Sequence, residues 1–103
     1  MHDPNAARDA VEKLWDAFER LKTYYTNVNK QDSANKIISD MAAGNEDYIN
    51  LFTEEFKKLT KVGNDFRIRH HETDKIEIAD IRYYDYFFNR CLSLIALAVQ
   101  YLK

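Results

Sequence analysis

Apolar residues recur at Ala7, Val11, Leu14, Phe18, Leu21, Tyr25 and Val28, with spacings that alternate between four and three. That rhythm is one continuous face of a helix. Trp15 and Tyr24 widen the face, while Glu12, Asp16, Glu19, Arg20 and Lys22 fill the other side. Asp3-Pro4 reads as the start, a side-chain acceptor followed by proline where no helical amide bond is lost. Asn27, Asn29 and the run Gln31-Asp32-Ser33 read as the stop. The spacing also suits a coiled coil, but a single helix of this length more often packs inside a bundle.

Ser33, or Asp32, is expected to cap a short helix carrying Ala34, Ile37, Ile38 and Met41, closed by Gly44-Asn45. A second long pattern begins near Asn45, with Ile49, Phe52, Phe56 and Leu59 on one face as far as Lys61. Phe66 stays in register with Leu59, so the helix is expected to continue through Gly63 to about His71. Asn64, Arg67 and His71 would then share one face at i, i+3 and i+7, and His70 would turn toward Leu59 and Phe66. The rival reading makes Phe66 to Arg69 a strand paired with Ile76 to Ile78, which alternate in the same way. A lone two-stranded hairpin is marginal in water, which favours helix.

Asp80 is a natural cap for a last helix. Tyr84, Phe88, Cys91, Ile95, Ala98 and Leu102 form its stripe, and Phe87, Leu92, Leu94, Leu97, Val99 and Tyr101 widen it. Only a narrow polar strip of Asp85, Asn89, Ser93 and Gln100 is left. A helix so apolar is buried on more than one side, which predicts a central position or a self-association surface.

Composition narrows these options. At 103 residues the chain makes one domain, and two glycines and one proline leave little material for the turns of an all-β protein. A formal net charge of −2 excludes a generally basic nucleic-acid binder, so any polyanion site must be local. The single Cys91 excludes an intramolecular disulfide and reads as a buried thiol in a reducing compartment. Met1-His2-Asp3-Pro4 carries no secretory signal, and the stretch from Leu92 to Val99 is too short to span a membrane. A cytoplasmic protein is expected. The chain ends at Lys103 without a tail, which suggests a C-terminal domain cut from a longer protein.

Chemistry is concentrated between Gly63 and Glu72, where two arginines, two histidines, an asparagine and two carboxylates fall together. The bland alternative is structural: a basic run complements the negative end of a helix, and Arg67 and Arg69 pair with Glu72, Asp74 or Asp80. A metal site is disfavoured. His70 and His71 diverge by roughly 100° on a helix and point oppositely on a strand, no second ligand pair has suitable spacing, and His2 stands apart. No cofactor is implied. The third chemistry is cleavage of RNA, which needs a base for the 2′-hydroxyl proton, an acid for the leaving oxygen and a cation for the phosphorane. Histidine supplies the first two and arginine the third. His71 and Arg67 are the candidate catalytic pair, with Asn64 and Arg69 in support and His70 more structural. Tyr83 and Tyr84 could stack bases, with core packing favoured for Tyr84.

The opening segment Ala10-Val11-Glu12-Lys13-Leu14-Trp15-Asp16-Ala17-Phe18-Glu19-Arg20-Leu21-Lys22, the Gly63–Glu72 segment and the aromatic last helix (Tyr84, Phe87, Phe88, Asn89, Arg90) together resemble abortive-infection-type HEPN domains. The resemblance covers most of the chain. It implies an up-and-down bundle of three long helices and one short one over residues 1–103. It also implies a homodimer through the last helix and action on RNA. Many such domains are metal-independent endoribonucleases of toxin–antitoxin or phage-defence systems, and others are inactive RNA-binding or assembly modules, so an antitoxin is an implied partner. The family's signature spaces its arginine and histidine more widely than Arg67 and His71, and Ile68 takes the place of a polar residue. The alternative to an enzyme is a non-catalytic dimerisation or docking module with a structural Arg/His cluster.

Overall fold

In the computed structural model, residues 3–103 are described; the expectation about His2 falls outside them. They form an all-helical bundle, with α1 over Pro4–Lys22, α2 over Lys30–Met41, α3 over Glu46–Asp65 and α4 over Ile81–Ala98, followed by a 3-10 turn, Val99–Tyr101. Each start has a local chemical cause. The Asp3, Asn29, Asn45 and Asp80 side chains accept hydrogen bonds from backbone N–H groups of the first turn that have no partner within the helix.

α1 makes its broadest contact along α4, and α2 lies against α1, α3 and α4. The core gathers Trp15 and Phe18 from α1, Ile37 and Met41 from α2, and Phe56 and Leu59 from α3, with Cys91 and Leu94 from α4. Phe18 meets Phe56 edge-on at 5.6 Å, and Trp15 meets Phe87 at 6.2 Å. Such pairs add directional preference to the burial of their large apolar area. The last residues are tied back to the turn after α1: the Tyr24 hydroxyl donates to the Lys103 carbonyl, and the Lys103 amide donates to the Tyr25 hydroxyl.

Several expected boundaries move. α1 stops at Lys22, so Val28 leaves its stripe and lies exposed. The run Thr23 to Asn29 is poor in helix formers, and the fully buried Ser33 hydroxyl accepts the Tyr25 amide there. Asn29, not Ser33 or Asp32, caps α2, and Ser33 sits inside that helix. α2 closes through Ala43 and Gly44, both with positive φ, and Asn45 begins α3.

The largest correction comes after Gly63. α3 passes through this glycine but ends at Asp65 rather than near His71, and Phe66 is extended. The Arg67 amide turns to the Ile76 carbonyl, and the Ile76 amide to the Asp65 carbonyl, which forms one parallel bridge between Phe66 and Ile76. A two-stranded hairpin does not form among the described residues. The cause is burial: helical spacing would turn Ile68 about 200° from Phe66. The irregular segment instead buries Ile68 and half-buries Phe66, and Ile78 enters the core beside them.

Candidate functional site: the cluster between α1 and the segment after α3

Because α3 ends early, Asn64, Arg67 and His71 do not share a helical face. Asn64 stays on α3 and lines a groove toward α2. Arg67 and His71 belong to the irregular segment and line one hollow together with Arg8, Asp9 and Glu12 of α1. The expected pair is therefore brought together by a different backbone from the one that predicted it.

Arg67 is half-buried and bridges its own loop. Its Nε donates to the Lys75 carbonyl at 3.1 Å and its Nη2 to the Thr73 carbonyl at 3.3 Å. His71 is exposed, with Nε2 3.8 Å from Glu12 Oε1. That distance is an ion pair when the imidazole is protonated and too long for a hydrogen bond. Arg8 is anchored by its own helix, its Nη2 donating to Asn5 Oδ1.

Arg69 turns along α1 and donates through Nε to Asp16 Oδ1 at 2.7 Å, with Nη1 3.9 Å from Glu19 Oε1. Arg69 thus finds carboxylates on a distant helix and Arg67 two carbonyls of its own loop, and not Glu72, Asp74 or Asp80 as the local pairing expected. Asp80 is taken by Arg82, whose guanidinium holds the Asp80 carboxyl below its ordinary range. His70 is exposed rather than turned toward Leu59 and Phe66, since the backbone that would have aimed it inward is absent. Tyr83 is exposed, and Tyr84 is half-buried against the core.

Glu12, Asp16 and Glu19 stand at i, i+4 and i+7 on α1 and form the surface onto which the segment folds. This acidic row, with Arg8 one turn before it, is the part of the site that sequence reasoning missed. Its signal was present in helical phase, and only the chain reversal after Asp65 shows what it faces. At the row's end Glu19 meets both Lys22, at 2.5 Å, and Lys30, at 3.3 Å. Burial raises the Glu19 carboxyl, but the two ammonium groups together outweigh it and hold it below its ordinary value. Lys22 moves downward too, because its own burial outweighs the attraction of Glu19. The two directions differ in meaning: the pair favours the carboxylate, while the more deeply buried ammonium remains short of solvent.

Burial, with Glu19 adding to it, pushes the Cys91 thiol up to about 12, so it is no nucleophile near neutrality. Among the described residues no group of three or more His, Cys, Asp or Glu side chains could hold a metal ion. No helix among them is long and apolar enough to cross a membrane. Comparison with protein-family models, with curated proteins and with solved structures finds no match for this chain.

Proposed function

We propose that this chain is a HEPN-like helical domain that acts on RNA at the hollow between α1 and the segment after α3. The observation that carries the reading is the convergence of Arg8, Arg67 and His71 on one hollow, with Glu12 beside the imidazole. Two guanidinium groups offer a phosphate its preferred planar donors. Neutral His71 takes the proton of a ribose 2′-hydroxyl, the 2′-oxygen bonds to phosphorus, and the bond to the 5′-oxygen breaks. The departing 5′-oxygen takes a proton from solvent water, and His71 gives up its own proton to the hydroxide so formed, which leaves a cyclic phosphate and a free hydroxyl. Glu12 Oε1, 3.8 Å from the imidazole Nε2, places a carboxylate beside the ring as it gains the proton. Arg67, tied to two loop carbonyls, is held in place before substrate arrives. Exposed Tyr83 is a stacking platform for a base.

A second reading is favoured by a specific observation: Arg69 is committed to Asp16 and Arg67 to carbonyl groups, so the cluster also works as a clamp between α1 and the segment after α3. Under it the domain is a non-catalytic dimerisation or docking module. A second copy would seat on the outer face of α4, where Tyr83 and Tyr86 are exposed one turn apart.

Induced expression in bacterial cells separates the two. The RNA reading expects growth arrest by the wild type, relieved by His71→Ala or Arg67→Ala, with each variant accumulating as folded protein. Equal growth of wild type and His71→Ala at matched protein levels supports the docking module instead.

A further inference from the structure

The groove between α2 and α3 is a separate surface that the RNA chemistry does not use. Its walls are set by helical repeats. Lys30, Ala34 and Ile38 come from successive turns of α2, and Thr53, Lys57 and Lys61 from successive turns of α3, with Phe56 between them on the floor. At about 1.5 Å per residue the contributing stretches run about 12 Å along α2, from Lys30 to Ile38, and about 18 Å along α3, from Thr53 to Asp65, the length of a two- to three-turn helix. The floor is apolar and the rim is polar. The hollow encloses about 670 Å³.

Its charge is opposite to that of the whole chain. Lys22, Lys30, Lys57 and Lys61 line it with a single carboxylate, Asp65, in a protein whose formal net charge is −2. Lys22 acts through its field alone: its Nζ is buried, donating to Thr60 Oγ1 at 2.7 Å and lying against Glu19. Lys57 and Lys61 stand on the rim, each tied only to a carboxylate of its own helix, Glu54 at 4.0 Å and Asp65 at 2.6 Å. Exposed pairs of this kind are worth little, so their ammonium groups can exchange to a new carboxylate at small cost. Asn64 sits at this lip, away from Arg67.

We propose that the α2/α3 groove docks an acidic amphipathic helix of a partner protein. Its flanking carboxylates meet Lys30, Lys57 and Lys61, and its apolar residues, at i, i+3, i+4 and i+7, cover the narrow apolar floor, where only the edges of Ala34, Ile38 and Phe56 reach the surface. Single-stranded nucleic acid is the poorer occupant, because the one aromatic ring of the lining, Phe56, is 4% exposed and packs edge-on against Phe18. It offers no open face for a base to stack on.

A displayed library of random peptides about 12 residues long (~18 Å as a helix), selected on the whole chain, tests the proposal. Expected are enriched acidic peptides with helical apolar spacing. Fluorescence anisotropy should show their affinity falling about tenfold in Lys57→Glu/Lys61→Glu, in line with the loss of charged contacts, and unchanged in Lys13→Glu. Both groove lysines are exposed, so circular dichroism should show the double variant folded. Failure to enrich any peptide, enrichment of basic or neutral ones, or affinities indifferent to the double substitution would overturn the proposal. So would binding of a uridylate oligomer that the double variant abolishes, which would assign the groove to nucleic acid. His71→Ala should leave peptide binding intact, so this result stands apart from the fate of the RNA reading.

Discussion

The indole of Trp15 lies across Gly63 so closely that a Cβ on Gly63 would sit 2.5 Å from Trp15 Cδ1 and 2.7 Å from Nε1. The same indole donates to the Leu59 carbonyl at 2.9 Å, one turn before the glycine on α3. Gly63 is therefore a contact surface inside a helix. Its hydrogen lets α1 approach, and the buried indole N–H finds an acceptor there.

Gly63→Ala should consequently destabilise the fold although alanine is the better helix former by about 1 kcal/mol. Overpacking against a fully buried ring costs about 1–3 kcal/mol, and the 2.5 Å approach puts this site at the upper end, so the net loss should be about 2 kcal/mol. Urea denaturation would check it, with Asn64→Ala on the same helix as the exposed comparison.

Much of the fold was legible in helical phase. The starts at Asp3, Asn45 and Asp80 and the apolar faces of α1, α3 and α4 follow from capping chemistry and spacing that each segment carries within itself. The segment after Gly63 was not legible, because its conformation depends on partners far along the chain. The Arg67 amide needs Ile76, Ile68 needs the core, and Arg69 needs Asp16. Phase placed Arg67 and His71 together for a reason that does not hold, and an extended path brings them to one hollow all the same.

Arg69 and Asp16 lock that path onto α1. Both side chains are more than a third exposed or close to it, so the pair is worth only about 0.5–1 kcal/mol. A double-mutant cycle of Arg69→Ala and Asp16→Ala should give a coupling in that range, reduced in 1 M salt. Hydrogen exchange of the Arg67 and Ile76 amides should accelerate in Arg69→Ala.

Acid should weaken the fold partly through Glu19. Its carboxyl is held below 4.5 in the folded state, so its contribution is fully present above that value and is lost as pH falls through the lower folded value. Lys22 works in the other direction: its folded value is lowered from 10.5, so its burial penalty applies while it is charged and disappears as pH rises toward 10.5. Glu19→Gln should flatten the loss of stability below pH 4.5 and lower stability at pH 7, where Lys22 keeps its buried charge without a counter-ion. Thermal unfolding from pH 3 to 7 would measure both.

Ala43 occupies the left-handed region at φ 51° just after α2. This conformation costs a non-glycine residue about 1–2 kcal/mol, part of which glycine returns as backbone entropy. Ala43→Gly should therefore stabilise by about 0.5–1 kcal/mol in thermal or urea unfolding, with no change at the hollow.

The central claim concerns His71 in the company of Arg8, Arg67 and Glu12. Purified protein incubated with total RNA in EDTA tests it most directly. The account predicts cleavage by the wild type that disappears in His71→Ala and falls at least tenfold in Arg8→Ala, a loss typical of a charge-stabilising contact, while thermal unfolding of His71→Ala matches the wild type. RNA left intact by the folded wild type, or cut equally by His71→Ala, would contradict it.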